Sequence, residues 1–227
     1  VRAMVAEGRN INITLLFSLE RYDEIIEAYI GGLEDHVASG ARDLSRVWSV
    51  ASFFVSRVDT EVDRRLDTAA GHDPAASGRL RSLQGTAAVA QAHMAYQLFR
   101  DRFSGPRWEA LAAKGANVQR PLWASTSTKN PAYPDLKYID TLIGPDTVNT
   151  MPDQTVDAFL DHGTLTRSVD ADPAAARRAL DDLEEAGVDM ADVGATLEAE
   201  GVASFSKSFD ELVQTLQDKA NALAAGQ

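Results

Sequence analysis

The sequence predicts an α/β fold in which parallel strands alternate with helices. Four runs of β-branched and large apolar residues are each followed by a segment whose apolar residues recur at helical spacing. No hairpin signal lies between one apolar run and the next. Parallel strands joined by helical crossovers satisfy both observations, whereas an antiparallel meander would need short turns.

The first strand is predicted near residues 10 to 17, with a long amphipathic helix after it. Ser18 is a good N-cap residue at the point where the strand pattern stops. The apolar positions that follow recur every three or four residues, namely Tyr22, Ile25, Ile26, Tyr29, Ile30, Leu33 and Val37. One strand and one helix therefore form the first unit.

Three more units are predicted to repeat this order. Their strands are predicted near residues 47 to 55, 120 to 125 and 146 to 151. The helices after these strands are predicted at residues 59–66, 86–103, 136–143 and 155–160, with a further short helix between Pro106 and Gly115.

Three helical stretches are predicted after the fourth unit. Asp172 suits the N-cap of the first stretch, and Pro173 suits its opening turn. The stretches are expected at residues 173–186, 190–200 and 208–224. The last stretch carries one apolar face, formed by Phe209, Leu212, Val213, Leu216 and Leu223. We expect these helices to pack on the sheet as a terminal annex.

Composition limits the kinds of partner. The net charge of −12 comes from acidic residues spread along the helical segments, which argues against a nucleic acid or an anionic membrane as partner. The chain has no cysteine, so a disulfide, a cysteine nucleophile and a cysteine metal site are excluded. No apolar run approaches the roughly 20 residues of a membrane helix. A cytoplasmic location is predicted.

No metal and no cofactor are predicted. The histidines lack the i, i+4 spacing and the neighbouring carboxylates of a metal site; they are His36, His72, His93 and His162. The sequence also lacks the glycine-rich turns that bind nucleotides and the nucleophile-elbow motif of hydrolases. Polar residues within the strands are the remaining candidates for chemistry.

Polar residues interrupt strands that should be apolar throughout. Alternation places Asn12 and Thr14 on one face of the first strand, and Ser52 interrupts the second. Ser125 ends the third strand, and Asn149 lies in the fourth. These groups gather toward the carboxyl ends of the strands, where α/β barrels and open α/β sheets place their active sites. The alternative for Asn12 and Thr14 is a hydrogen-bonded polar pair buried within the sheet.

Two cations follow the strands at the same end. Arg57 comes directly after the second strand, and Lys129 lies in the loop after the third. A guanidinium fork beside an ammonium group suits a phosphate, so the two cations predict a site for a phosphorylated ligand in an otherwise acidic protein. The alternative for each of them is a solvated surface charge.

The strand segments themselves resemble those of transaldolases. Residues 10–18, NINITLLFS, resemble the fifth-strand motif of that family, and residues 49–59, SVASFFVSRVD, resemble the sixth. Residues 121–126, PLWAST, and residues 147–152, TVNTMP, are similar to the seventh and eighth strands of actinobacterial members. The resemblance covers nearly the whole chain.

The resemblance implies the second half, strands 5 to 8, of a (β/α)8 barrel with carboxyl-terminal helices. Barrel units would occupy residues 1–165, and a helical annex would occupy residues 166–227. The amino-terminal half of the barrel would lie outside this chain. It would carry the lysine that forms a Schiff base, on the fourth strand, and acidic partners on the first and third strands.

The resemblance also implies roles for single residues. Asn12 and Thr14 match the pair that contacts the bound intermediate and the catalytic water. Ser52 and Phe54 match residues that line the sugar site, and Arg57 matches the phosphate-binding arginine that ends the sixth strand.

The implied roles are less direct for the other three candidates. Ser125 matches a seventh-strand serine near the substrate. Lys129 is the cation nearest to the position of a second phosphate-binding arginine, which this sequence lacks, in a loop of different length. Asn149 is the last candidate for substrate binding.

The function implied is transfer of a dihydroxyacetone unit between sugar phosphates in the pentose phosphate pathway. Alternatives are a fructose 6-phosphate aldolase, a transaldolase fused to an isomerase, and a non-catalytic sugar-phosphate binding module. Without the lysine, the chain alone is expected to be inactive. A half barrel with two open edges is also expected to be poorly stable or to aggregate. The sequence leaves the oligomeric state open.

Overall fold

The computed structural model of the chain describes residues 1–225. Its strands are β1 (Ile11–Leu16), β2 (Ser49–Phe54), β3 (Gln119–Ala124) and β4 (Val148–Asn149). They form one sheet in the order β1-β2-β3-β4, and each neighbouring pair is parallel. The four predicted strands and their parallel direction are confirmed, although β4 has only two residues where the sequence predicts six.

Helices connect and follow the strands. They are α1 (Arg2–Ala6), α2 (Leu19–Ala38), α3 (Ser56–His72), α4 (Ser77–Ser82), α5 (Ala87–Arg102), α6 (Gly105–Ala112), α7 (Lys137–Asp140), α8 (Asp153–His162), α9 (Pro173–Glu185) and α10 (Met190–Ala225). Two predicted N-caps are confirmed. The Ser18 Oγ accepts from the Arg21 N–H at 3.1 Å, and the Asp172 carboxylate accepts from the Ala175 N–H at 2.8 Å.

One face of the sheet is buried under helices and forms the core. Phe53 of β2 and Trp123 of β3 are partners in register, with ring centroids 6.3 Å apart. Tyr22 of α2 meets Phe53 edge-on at 5.9 Å. None of these three side chains is more than 1% exposed. Burial of each large apolar side chain stabilises the fold by about 1.5–3 kcal/mol.

The other face of the sheet is open at β1. Asn12 and Thr14, which point to this face, are exposed, whereas the sequence predicts a strand covered on both sides. That expectation is wrong for the described residues, because nothing within residues 1–225 covers this part of the sheet. The same face is covered toward the carboxyl end of β2, where Ser52 and Phe54 are only 4% and 9% exposed.

The helix α10 is continuous where the sequence predicts two helices, at residues 190–200 and 208–224. Gly201 lies between them and does not end the helix. A Cβ at this position would come within 3.0 Å of the Leu15 side chain. The glycine therefore allows close packing on β1 and is not a C-cap signal.

The second part of α10 does not pack on the sheet, so that prediction is also wrong. Val193 and Leu197 in the first part are buried, but residues 202–224 are all exposed. The predicted apolar face lies among these exposed residues. The annex is predicted to run to residue 227, and residues 226–227 lie outside the described part. Across the described residues, no helix has the length and apolar content needed to cross a membrane.

Candidate active site

The predicted site residues of β1 and β2 lie side by side on the open face of the sheet. Asn12 is the register partner of Val50, so Ser52 lies two residues further toward the carboxyl end. The Ser52 hydroxyl donates a hydrogen bond to Oδ1 of Asn12 at 2.8 Å. Because this bond uses the amide oxygen, the Nδ2 donor of the exposed Asn12 is available to a ligand oxygen.

The backbone of β1 is irregular beside Thr14. Ile13 pairs with Ala51 and Leu16 pairs with Phe53, so β1 has one extra residue between these two pairs. Leu15 adopts φ 62°, in the left-handed region that costs a bulky residue roughly 1–3 kcal/mol. Bulges of this kind re-aim side chains and are frequent next to active sites. Thr14 precedes the strained residue and is exposed on the same open face.

A second strained residue is Ser125, which follows β3 with φ 56°. Its carbonyl oxygen accepts from the Ser56 N–H at 3.0 Å, and the hydroxyl oxygens of Ser125 and Ser56 lie 3.0 Å apart. These contacts tie the end of β3 to the first residue of α3. Ser125 therefore contacts the residue that precedes Arg57, at the edge of the sheet where α3 begins.

Arg57 lies in the first turn of α3 and is partly buried. Its guanidinium carbon lies 5.4 Å from the centroid of the Phe54 ring, which supports it by a cation–π contact. Arg64 and Arg65 of the same helix both pair with Glu61 at 2.7 Å. No such ion pair is found for Arg57 within residues 1–225. An unpaired guanidinium at a helix N-terminus is suited to bind an anion.

Phe54 has a supporting role in this arrangement. Its ring centroid lies 5.3 Å from that of Phe17, and only 9% of Phe54 is exposed. Phe17 is fixed in turn, because its carbonyl oxygen accepts from the Gln91 side chain at 2.6 Å. Phe54 thus packs on Phe17 and supports the guanidinium of Arg57.

The fold does not place Lys129 in the same cavity as Arg57. Lys129 is exposed, and its Nζ donates to the Ser127 hydroxyl at 2.7 Å. Lys129 borders a cavity of about 430 Å³ on the outer side of α3, where Thr60, Asp63 and Asp67 are among the lining residues and Arg57 is not. Its predicted role in substrate binding stays a prediction that this geometry does not support.

Asn149 lies on the other face of the sheet from Asn12 and Ser52. Its register partner is Trp123, whose side chain points into the helix-covered core. The Asn149 Nδ2 donates to the Tyr138 carbonyl at 3.2 Å, and its Oδ1 accepts from the Thr126 hydroxyl at 3.0 Å. Both ends of the amide are therefore used within the fold, and the role of Asn149 in substrate binding stays a prediction.

A buried polar cluster beside the site was not found from the sequence. Asp59 is 1% exposed, and its carboxylate accepts from the Ala88 N–H at 2.8 Å, the Lys137 Nζ at 3.0 Å and the Tyr138 hydroxyl at 2.7 Å. Burial and the adjacent Asp59 raise the pKa of Tyr138 well above its usual range. The cluster fixes the first turn of α3, which carries Arg57, against α5 and α7. The only sequence signal was an aspartate in the first turn of a predicted helix.

The described residues contain neither a lysine within a strand nor a cluster of metal-binding side chains. None of the four strands contains a lysine. The partly buried amine of Lys137 is held by Asp59 and by the Gly85 carbonyl on the helix side of the sheet. Within residues 1–225, no three His, Asp or Glu side chains are grouped to hold a metal ion.

Comparison with known proteins decides the family. A family model described as Transaldolase/Fructose-6-phosphate aldolase matches residues 1–216. The chain belongs to this family. The resemblance of the strand motifs to transaldolases is confirmed, and the family's TIM-barrel-like α/β fold agrees with the parallel four-stranded sheet.

Curated relatives within the transaldolase family come from actinobacteria. A transaldolase of Parafrankia sp. (strain EAN1pec) is 47% identical over 226 residues, which are 99% of this chain and 59% of the relative. One of Thermobifida fusca (strain YX) is 51% identical over 214 residues, which are 94% of this chain and 56% of the relative. One of Mycobacterium leprae (strain TN) is 45% identical over 226 residues, which are 99% of this chain and 58% of the relative. The chain thus spans less than two thirds of the length of these transaldolases.

Proposed function

We propose that residues 1–227 form the carboxyl-terminal half of a transaldolase barrel. In this proposal residues 1–165 carry strands 5 to 8, and residues 166–227 form the helical annex. The sequential order of four parallel strands supports the proposal, because a closed barrel of this type has eight. The share of the relatives' length that the chain covers, 59% in one case, also supports it.

The reaction of the complete enzyme is the transfer of a three-carbon dihydroxyacetone unit. A lysine amine attacks the ketose carbonyl and loses water to form an iminium, which accepts the electrons of the adjacent carbon–carbon bond as that bond breaks. The aldose product leaves as the hydroxyl on the departing carbon loses its proton and becomes the aldehyde. The resulting enamine attacks an acceptor aldehyde, whose oxygen takes up a proton, and water hydrolyses the new iminium to the new ketose and the free lysine amine. With sedoheptulose 7-phosphate and glyceraldehyde 3-phosphate, the products are erythrose 4-phosphate and fructose 6-phosphate. The amine comes from a strand outside this chain, in the cytoplasmic enzyme of the pentose phosphate pathway.

The observation that carries this proposal is the arrangement of polar groups along the open face of β1 and β2 and at the start of α3. The Asn12 amide, oriented by Ser52, is available to an oxygen of the bound intermediate, and Thr14 is available to position a water. Arg57 at the start of α3, supported by the Phe54 ring, is available to a phosphate. This set binds the two ends of a phosphorylated sugar without a metal.

The proposal is tested in a chimaera. Residues 1–227 replace the matching segment of the Thermobifida fusca relative, and we call this protein the Thermobifida chimaera. Borohydride with fructose 6-phosphate should trap a reduced adduct on a lysine outside residues 1–227. Residues 1–227 alone should give no adduct. An adduct within residues 1–227, or loss of activity to a chelator, would contradict the proposed mechanism.

A second candidate is release of free dihydroxyacetone, because the matching family model covers fructose 6-phosphate aldolase as well. Addition of erythrose 4-phosphate separates the two activities. A transferase forms sedoheptulose 7-phosphate and glyceraldehyde 3-phosphate with little free dihydroxyacetone, whereas an aldolase releases dihydroxyacetone with or without the acceptor. Failure to trap any adduct, with sugar phosphate still bound, would indicate a non-catalytic binding module.

A further inference from the structure

The second part of α10 carries a stripe of large apolar side chains that are exposed and lie outside the hydrophobic core of the described residues. We call it the α10 seam, and its members are 49–75% exposed: Val202, Phe205, Phe209, Leu212, Val213, Leu216 and Leu223. The residues from 202 onward extend for about 36 Å at the rise of an α-helix. A continuous apolar stripe of this size on a folded protein marks an interaction surface.

The seam is confined to one side of the helix. Four of the six steps between its members are three or four residues and the last step is seven, which is the spacing of one helix face. The charged residues of the same segment lie mostly on the opposite side, at Lys207, Asp210, Glu211 and Asp218. The helix is therefore amphipathic, with an apolar side that has no partner within residues 1–225.

The course of α10 indicates where the seam points. Asp192 near its start pairs with Arg65 of α3 at 2.7 Å. Further along, Glu198 pairs with Arg21 of α2 at 3.1 Å, and Gly201 lies against Leu15 of β1. The helix thus runs from the β2–α3 unit to β1, which is the edge strand of the sheet. Beyond Gly201 it continues past that edge.

The seam also continues the side of α10 that already packs on the fold. Gly194 lies against Ser18, and Gly201 lies against Leu15 and Phe17. Phe205 follows Gly201 by four residues and Leu212 follows it by eleven, so both lie on the same side of the helix. A strand or helix that continues the fold beyond β1 would contact the seam directly.

We propose that the α10 seam packs against the other half of the barrel in a chain of the relatives' full length. The partner is an apolar surface of the strand–helix units that follow the free edge of β1 in a closed barrel. Relatives are long enough to supply these units, since the match covers 59% of the Parafrankia relative. This inference rests on the half barrel proposed above. It does not depend on the proposed reaction.

A second copy of α10 fits the seam less well. Positions beside the seam are small and uncharged, as at Ser206, Ser208 and Thr215, whereas two-stranded coiled coils usually carry paired charges there. Lys219 interrupts the heptad positions set by Phe205 and Leu212. A broad apolar stripe with Val213 at its side is typical of a helix that packs on the core of its own domain.

Hydrogen–deuterium exchange tests the proposal. In residues 1–227 alone, amides 205–220 should exchange rapidly, and in the Thermobifida chimaera they should exchange at least about tenfold more slowly. Phe209→Lys in the chimaera should abolish this protection, and Leu216→Ala should reduce it. Gln214→Lys places the same charge on the opposite side of the helix and should leave the protection unchanged.

The results of this experiment distinguish the possible partners of the α10 seam. Equal exchange in both proteins would overturn the proposal. Protection that rises with protein concentration, together with a dimer in sedimentation velocity, would assign the seam to a second copy and would also overturn it. An inactive monomeric chimaera with protected amides would contradict the proposed transaldolase function and support the packing of α10.

Discussion

The hydroxyl of Ser52 donates a hydrogen bond of 2.8 Å to the side-chain oxygen of Asn12 across the β1–β2 pair. The bond joins residues 40 positions apart in the sequence and selects which amide atom of Asn12 is available to a ligand. It also lies on the open face of the sheet, and β2 leads from it to Arg57 at the start of α3.

Ser52→Ala in the Thermobifida chimaera should lower kcat/KM by up to about tenfold, because loss of one oriented hydrogen bond costs about 0.5–1.5 kcal/mol. Steady-state kinetics with fructose 6-phosphate measures the effect. Ser49→Ala is the control, since the Ser49 hydroxyl bonds to the Ile11 carbonyl and accepts from Gln119 away from the open face. It should lower stability and leave kcat/KM nearly unchanged. Equal kinetic effects of both substitutions would contradict the role given to Ser52.

Arg57→Ala should raise KM for phosphorylated substrates by an amount equivalent to about 2 to 4 kcal/mol of lost binding, because it removes a charge-assisted contact to phosphate. Stability should change little. Arg64→Ala is the control, on the same helix and exposed, and should leave KM unchanged although it removes one of the two partners of Glu61. Lys129→Ala should resemble the Arg64 control. A KM effect from Lys129→Ala as large as that from Arg57→Ala would show that the loop reaches the phosphate.

Asp59→Ala should destabilise the chimaera by about 3 kcal/mol, because it leaves the partly buried ammonium of Lys137 and the buried hydroxyl of Tyr138 without their carboxylate partner. Urea unfolding measures the change. Asp67→Ala, at an exposed position of the same helix, should cost no more than about 0.5 kcal/mol. If Asp59→Ala is too unstable to purify, Asp59→Asn keeps the shape and should still lower the urea midpoint. A midpoint equal to that of the parent would remove Asp59 from the support of α3.

Stability should fall as the pH is lowered from about 4.5 to about 2. Hydrogen bonds from Arg64, and then from Arg65, lower the pKa of Glu61 to about 2. A carboxyl with a lowered pKa in the folded state stabilises above its ordinary pKa of 4.5, and this stability is lost as the pH falls through about 2. Burial raises the pKa of Asp63, so the contribution of Asp63 to stability increases as the pH falls. Urea midpoints against pH should therefore be flatter for Glu61→Gln, and an unchanged pH profile would contradict this.

Residues 1–227 alone should aggregate or unfold without a cooperative transition, because both edges of the sheet and the α10 seam are open. The Thermobifida chimaera should unfold cooperatively. Circular dichroism with urea and sedimentation velocity compare the two proteins. A monomeric chain of 227 residues with a cooperative, high-midpoint transition would contradict the half-barrel proposal.

The sequence by itself determined the parts of the fold that depend on local pattern. Residues 11–16 are apolar at alternate positions, and residues 47–55 are mostly apolar, so local pattern predicts both strands within two residues of their observed ends. The parallel arrangement followed from the helices between the strands. A site toward the carboxyl ends of the strands stays a prediction: Ser52 and Arg57 lie toward that end of β2, whereas Asn12 is the second of the six residues of β1.

Tertiary structure alone decided the features that depend on residues distant in sequence. The pairing of Ser52 with Asn12 needs the register of two strands, and the side of the sheet on which Asn149 lies needs its pairing with Trp123. A one-residue change of register reverses the face of a side chain, and local alternation does not fix it. Gly201 has the local pattern of a helix end, but its contact with Leu15 makes it part of one long helix. Local propensity is weak beside such packing, and therefore the structure decided these positions.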